Sequence, residues 1–137
     1  MKKLILLSAL ILIVGLAYGQ NLQKGNLVGT HVMTLTPNQG VTMEQVTNYL
    51  TKTYLPEFEK TRPEWKAYLT KGIRGENANS MGMIIIVKSE KDRDKYYNAD
   101  GTINELATKA NDKLKPFQDE LAKLCTWTSK YTDWVIQ

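Results

Sequence analysis

His31 is the only histidine in the 137-residue chain, and it lies within a run of strand-forming residues. An imidazole can serve as acid or base near neutral pH, or bind haem iron axially. It can equally be a structural group hydrogen-bonded to a neighbour or a side chain that contacts a small ligand. Tyr68 and Arg74 form a second candidate set, a phenol able to donate a hydrogen bond and a guanidinium able to hold a carboxylate. Both fall on one face of an expected strand, so they would line different parts of one long cavity or decorate an interface. Asp133 and Trp134 are adjacent in a later strand, which sends them to opposite faces.

Other chemistries lack their residues. One histidine cannot build a multi-histidine zinc site, and Cys125, the single cysteine, has no supporting ligand spacing. Asp92, Asp94 and Asp100 do not complete a calcium-binding loop, and Glu57, Glu59, Glu64 and Glu76 carry no spacing that fixes a catalytic pair. Gly72-Ile73-Arg74-Gly75 lacks the phosphate-loop pattern, Gly29 has no glycine-rich partners, and no serine sits in a nucleophile elbow. No resident cofactor or metal is expected, and the catalytic residues, if there are any, stay unassigned.

The elements that position these residues begin after a leader. Met1-Lys2-Lys3, an apolar run from Leu4 to Leu16 and the small residues of Ala17-Tyr18-Gly19 have the layout of a secretory signal peptide. The run is too short to span a bilayer, so residues 1–19 are expected to be removed and no stable membrane insertion is expected afterwards. The destination is periplasmic or secreted. The chain's 18 basic and 14 acidic residues become 16 and 14 once Lys2 and Lys3 are gone, a net of +2. Within the remainder the signs are mixed, as in Lys88-Ser89-Glu90-Lys91-Asp92-Arg93, so no nucleic-acid partner is expected. A lone cysteine also excludes an intramolecular disulfide, leaving Cys125 as a buried inert thiol or an intermolecular link.

Gln20 to Asn26 reads as a flexible polar lead-in, and Leu27 to Gln137 as a single domain. A strand over Leu27–Thr36 points Leu27, Gly29, His31, Met33 and Leu35 one way and Val28, Thr30, Val32 and Thr34 the other. Thr42-Met43-Glu44-Gln45 fits a capping box for a helix over Met43–Tyr54, which Pro56 ends or kinks. Trp65–Arg74 and Met81–Lys88 read as a hairpin, with Trp65, Ala67, Leu69 and Ile73 on one side of its first strand. The second strand is apolar on both faces, which marks it as central and covered on both sides. Ser89 opens a short helix reaching Tyr96 or Tyr97. A longer helix follows from Thr102, with Ile103, Leu106, Ala110 and Leu114 as its stripe, divided or bent at Pro116 before Phe117, Leu121 and Leu124. Lys130–Ile136 is the last strand.

Strand, helix, strand, strand, helix, strand is the order of an α+β ferredoxin-like sandwich, a four-stranded antiparallel sheet with helices on one face. The order, Leu27-Val28-Gly29-Thr30-His31-Val32, the helix ending near Tyr54-Leu55-Pro56, and the strand from Trp65 resemble the dimeric alpha/beta-barrel superfamily of ferredoxin-like domains. That resemblance implies a homodimer with its two sheets face to face and a ligand cavity, in a group that includes cofactor-independent monooxygenases and haem enzymes. The functional expectation is non-catalytic binding of a small organic ligand through His31, Tyr68 and Arg74. The alternatives are a cavity-based monooxygenase or haem-binding enzyme, and a structural or protein-interaction module.

Overall fold

A computed structural model describes residues 22–137; the expected leader, residues 1–19, and the first two residues of the lead-in lie outside them. Four strands, β1 (Leu27–Pro37), β2 (Trp65–Lys71), β3 (Met81–Val87) and β4 (Cys125–Val135), form one antiparallel sheet in the order β2-β3-β1-β4. This is the ferredoxin-like order. β1 and β3 are central, and β2 and β4 are the edges. The register sets two rows that matter below: Ala67, Ile85, Gly29 and Asp133 lie side by side, as do Leu69, Met83, His31 and Tyr131. Residues of a row share one face, because side chains alternate along each strand.

Helices cover that face. Thr42 caps α1 (Met43–Tyr49) through the expected reciprocal box: Gln45 N–H donates to Thr42 Oγ1, and Gln45 Oε1 accepts from Thr42 N–H. Pro56 does not end the helical path. The chain widens into a π-helical turn over Leu50–Tyr54, with Leu55 N–H bonded to Leu50 O, and continues as α2 (Leu55–Thr61) with the proline in its first turn. Proline is tolerated in a first turn, where its missing N–H would be unpaired anyway. α3 (Glu90–Asp94) is capped by Ser89 and ends a turn earlier than expected.

α4 (Glu105–Leu124) runs as one helix through Pro116. Its buried stripe is Ala107, Ala110, Leu114 and Leu121, at the three- and four-residue spacing of one helix face. Ile103 and Leu106, expected in that stripe, are instead exposed. Asn104 is the N-cap, which places Ile103 before the helix, and Leu106 then falls off the buried face. At the other end the Asn38 side chain donates to Ala122 O and Lys123 O, pairing carbonyls that the helix leaves free.

Leu27, Ile85, Val87, Trp65 and Ala67 from the sheet meet Val46, Leu50, Leu55, Leu114 and Leu121 from the helices in one core. Cys125 is buried within it as a free thiol, and burial raises its pKa. β4 begins five residues before the expected Lys130, directly after α4. β2 ends at Lys71, so Ile73 lies in the β2–β3 loop, 85% exposed, and not on the core side of a strand. The end of the lead-in is tied down: Gly25 N–H donates to Ile136 O and Ile136 N–H to Asn26 O. No helix among the described residues is long and apolar enough to cross a membrane.

Among the described residues, the opposite face of the sheet carries no helix. Val28, Ile84 and Ile86 are partly covered by their strand neighbours, while Val32, Tyr68 and Trp134 are exposed on the same face. β3 is therefore central, as its two apolar faces implied, but within one chain only one of those faces is covered by helices.

Candidate functional site

A half-open cavity of about 740 Å³ lies on the helix-covered side of the sheet, among the four strands, α2, α3 and the loop carrying Asn98, Ala99 and Gly101. Its size is within the range of small-molecule sites. Its floor is the strand rows that hold Ile85, Gly29 and Asp133, and His31 with Tyr131. Phe58, Arg62, Trp65, Arg93 and Tyr97 also line it.

The floor follows from strand geometry. His31 and Tyr131 are directly opposite across β1 and β4, and their rings stack at 5.4 Å with planes 22° apart. Ser129, two residues before Tyr131, is the diagonal neighbour on the same face, and its Oγ lies 3.0 Å from His31 Nδ1. His31 is half-buried, and this desolvation lowers its pKa from 6.5; the Asp133 carboxylate opposes the shift with a smaller effect. The shift favours the neutral imidazole.

Gly29 is needed in this floor. A Cβ there would stand 3.0 Å from Asp133 Oδ1 and 3.6 Å from His31 Nε2, so the missing side chain leaves the two polar groups their place over the strand. Arg93 pairs with Asp94 at 2.8 Å and reaches Asp133 at 3.8 Å, linking α3 to β4.

Phe58, Arg62 and Trp65 belong to an aromatic box. Trp65 meets Phe58 and Tyr96 edge-on at 6.0 and 5.5 Å. The Arg62 guanidinium lies 5.0, 5.7 and 5.6 Å from the Phe58, Trp65 and Tyr96 rings. It donates to Thr61 Oγ1 and Asn111 Oδ1, and desolvation by burial lowers its pKa from the ordinary arginine value.

The three residues expected to contact ligand do not converge. His31 faces the cavity, but Tyr68 is in the neighbouring row on the opposite face of the sheet, 47% exposed. Arg74 lies three residues beyond the end of β2, exposed in the loop. The strand is shorter than its sequence pattern because Gly72 turns the chain: its N–H donates to Ser80 O, and its carbonyl accepts from Asn79 N–H. Tyr68 and Arg74 thus share neither a strand nor a cavity with His31. The cavity itself lies between sheet and helices, where an inter-sheet cavity was expected.

Arg62, Trp65, Arg93 and Tyr131 are the residues that sequence reasoning passed over. Arg62 follows Phe58 by four and precedes Trp65 by three, but a cation at the end of a helix has an ordinary reading as a partner of the helix dipole. Only the fold of α2 back onto β2 turns that spacing into an aromatic box.

No family model and no curated protein matches this sequence. Among solved structures it is similar to SnoaB, a cofactor-independent oxygenase from Streptomyces nogalater, at 11% identity and TM-score 0.48, covering 82% of this chain and 94% of that one. A dimeric protein of unknown function and ferredoxin-like fold from Bacteroides fragilis matches at 10% identity and TM-score 0.40, over 82% and 98% of the two chains. The de novo designed protein Foldit4 matches at 12% identity and TM-score 0.37, over 78% and 94%. The strand order independently defines the class as a ferredoxin-like α+β domain.

Proposed function

We propose that the mature chain is an exported domain that binds a small organic ligand without transforming it, in the cavity between its sheet and helices. The carrying observation is the cavity of about 740 Å³, which places apolar and aromatic walls around a few polar groups. That combination suits a ligand with a flat apolar body and one or two polar ends. The leader layout of residues 1–19 supports the exported setting. The helix-free sheet face, with Val28, Val32, Ile84 and Ile86, supports pairing with a second copy through that face.

Two measurements test the binding role. Native mass spectrometry of protein taken from its own cell envelope should show a retained small molecule on a chain that starts near Gln20. Backbone NMR shifts on titration with naphthalene-2-carboxamide should map to His31, Tyr97 and Tyr131. Ala99→Trp, which introduces a bulky ring in an exposed loop at the cavity, should weaken that binding by about tenfold or more. Shifts confined to the bare sheet face would overturn the site. A Soret band on haem addition that His31→Ala abolishes would replace the binding role with haem chemistry.

A further inference from the structure

The wall beside Trp65 holds a positive charge with no negative partner. Arg62 is only 7% exposed, yet among the described residues it forms no ion pair; its two hydrogen bonds go to a threonine hydroxyl and an asparagine carbonyl. Buried guanidinium groups are ordinarily paired, because moving a charge out of water costs more than neutral partners return. The three aromatic faces offset part of that cost, but each offers a diffuse quadrupole and no oxygen acceptor. A guanidinium carries five N–H groups, and two are engaged.

A second donor on the same wall points the same way. Trp65 Nε1 is buried and, among the described residues, has no acceptor. Both residues line the cavity. The other cation at its edge, Arg93, is already held by Asp94 and Asp133. Among the described residues, an anionic partner is thus missing at Arg62 and an acceptor at Trp65, while Arg93 has anionic partners.

We infer that the ligand is an aromatic carboxylate, with its acid group on Arg62 and its ring between the aromatic walls. This rests on the binding role proposed above and adds the chemical class. The carboxylate supplies the counter-charge that the chain withholds from Arg62, and a planar guanidinium can take it through two parallel N–H···O bonds. The aromatic body follows from Phe58, Trp65, Tyr97 and Tyr131, which line the same cavity.

Calorimetry with naphthalene-2-carboxylate and naphthalene-2-carboxamide, probes of one shape that differ in charge, tests the inference on the full mature chain. The carboxylate should bind about 10- to 100-fold more tightly, the range of a charge-assisted hydrogen bond. Arg62→Met, which keeps an unbranched apolar side chain among the three rings, should bring the two probes to equal affinity, and Arg62→Lys should restore part of the difference. Lys113→Gln, on the exposed face of α4, should leave the preference intact. In the unmodified protein the Arg62 Nε–Hε resonance should shift with the carboxylate and not with the amide, a readout that stands even where Arg62→Met does not fold. Equal binding of both probes in the cavity would overturn the charge inference and leave the binding site standing. Binding of neither would overturn both.

Discussion

At the scale of single residues, His31 shows how a side chain of ordinary chemistry acquires a specific state from its neighbours. Ser129 accepts or donates at Nδ1, Tyr131 shields one ring face, and the resulting desolvation outweighs the Asp133 charge. The folded pKa lies below 6.5, so the unfolded chain binds this proton more readily. The contribution of His31 to stability is therefore complete above about pH 6.5 and declines as pH falls through the window toward its folded pKa. An NMR titration of its Cε1 proton, unambiguous because the chain has one histidine, should give a midpoint under 6.5. Denaturant unfolding of His31→Gln should lack the corresponding decline. A midpoint at or above 6.5 would show that Asp133 dominates. The sequence offered His31 as a ligand-contact candidate but did not place Asp133 beside it, since their neighbouring rows meet only once β4 pairs with β1.

Element boundaries depended on turns more than on propensity. The Thr42–Gln45 box could be read directly, because both hydrogen bonds are local. The end of β2 could not, because Thr70-Lys71-Gly72-Ile73-Arg74 continues an acceptable strand pattern. What stops it is a contact: a Cβ on Gly72 would come within 2.0 Å of the Asn77 carbonyl oxygen, so the loop packs backbone against the bare α-carbon. Gly72→Ala must push that backbone aside. It should destabilise the domain by about 2 kcal/mol or more, read from the denaturant midpoint, with β2–β3 loop resonances shifted most. An unchanged midpoint would mean that the loop has a second arrangement of equal stability. Pro56 illustrates the converse: a local rule, that proline ends a helix, yields to a π-turn that lets the chain continue and bury Leu50, Tyr54 and Leu55.

For the whole molecule, the decisive feature is the sheet's bare face. Across it run Lys66, Ile86, Val28 and Trp134, then Tyr68, Ile84, Thr30 and Thr132, a broad surface with an apolar middle. Trp134 Nε1 donates to Thr30 Oγ1, which keeps its indole folded over the sheet. A second copy placed face to face would cover these rows. Sedimentation of the chain from Gln20 onward should give twice the monomer mass at micromolar concentration. Ile84→Lys, central on that face, should shift the protein to monomer by weakening association on the order of 100-fold or more while the fold persists, because a lysine would be buried without a partner. A wild-type chain that stays monomeric at every concentration would reject the pairing. The cavity proposed to bind ligand lies on the other side of the sheet, so Ile84→Lys should leave probe binding measurable and separates the two roles.

The sequence by itself determined the order of elements, the caps at Thr42 and Ser89, the alternation of β1 and the central place of β3, because each depends on neighbours a few residues apart. It left Cys125 as a buried thiol or an intermolecular link, and the fold places it in the core. Only the tertiary structure decided which residues form the site. Arg62 and Trp65, Asp133 and Gly29, His31 and Tyr131 meet through strand pairing and through α2 folding onto β2, contacts that span up to a hundred residues or more of chain. Tyr68 left the site for the complementary reason. Alternation is visible in a sequence, but which face the helices cover is fixed only when the crossovers close, and they closed over the face that carries His31.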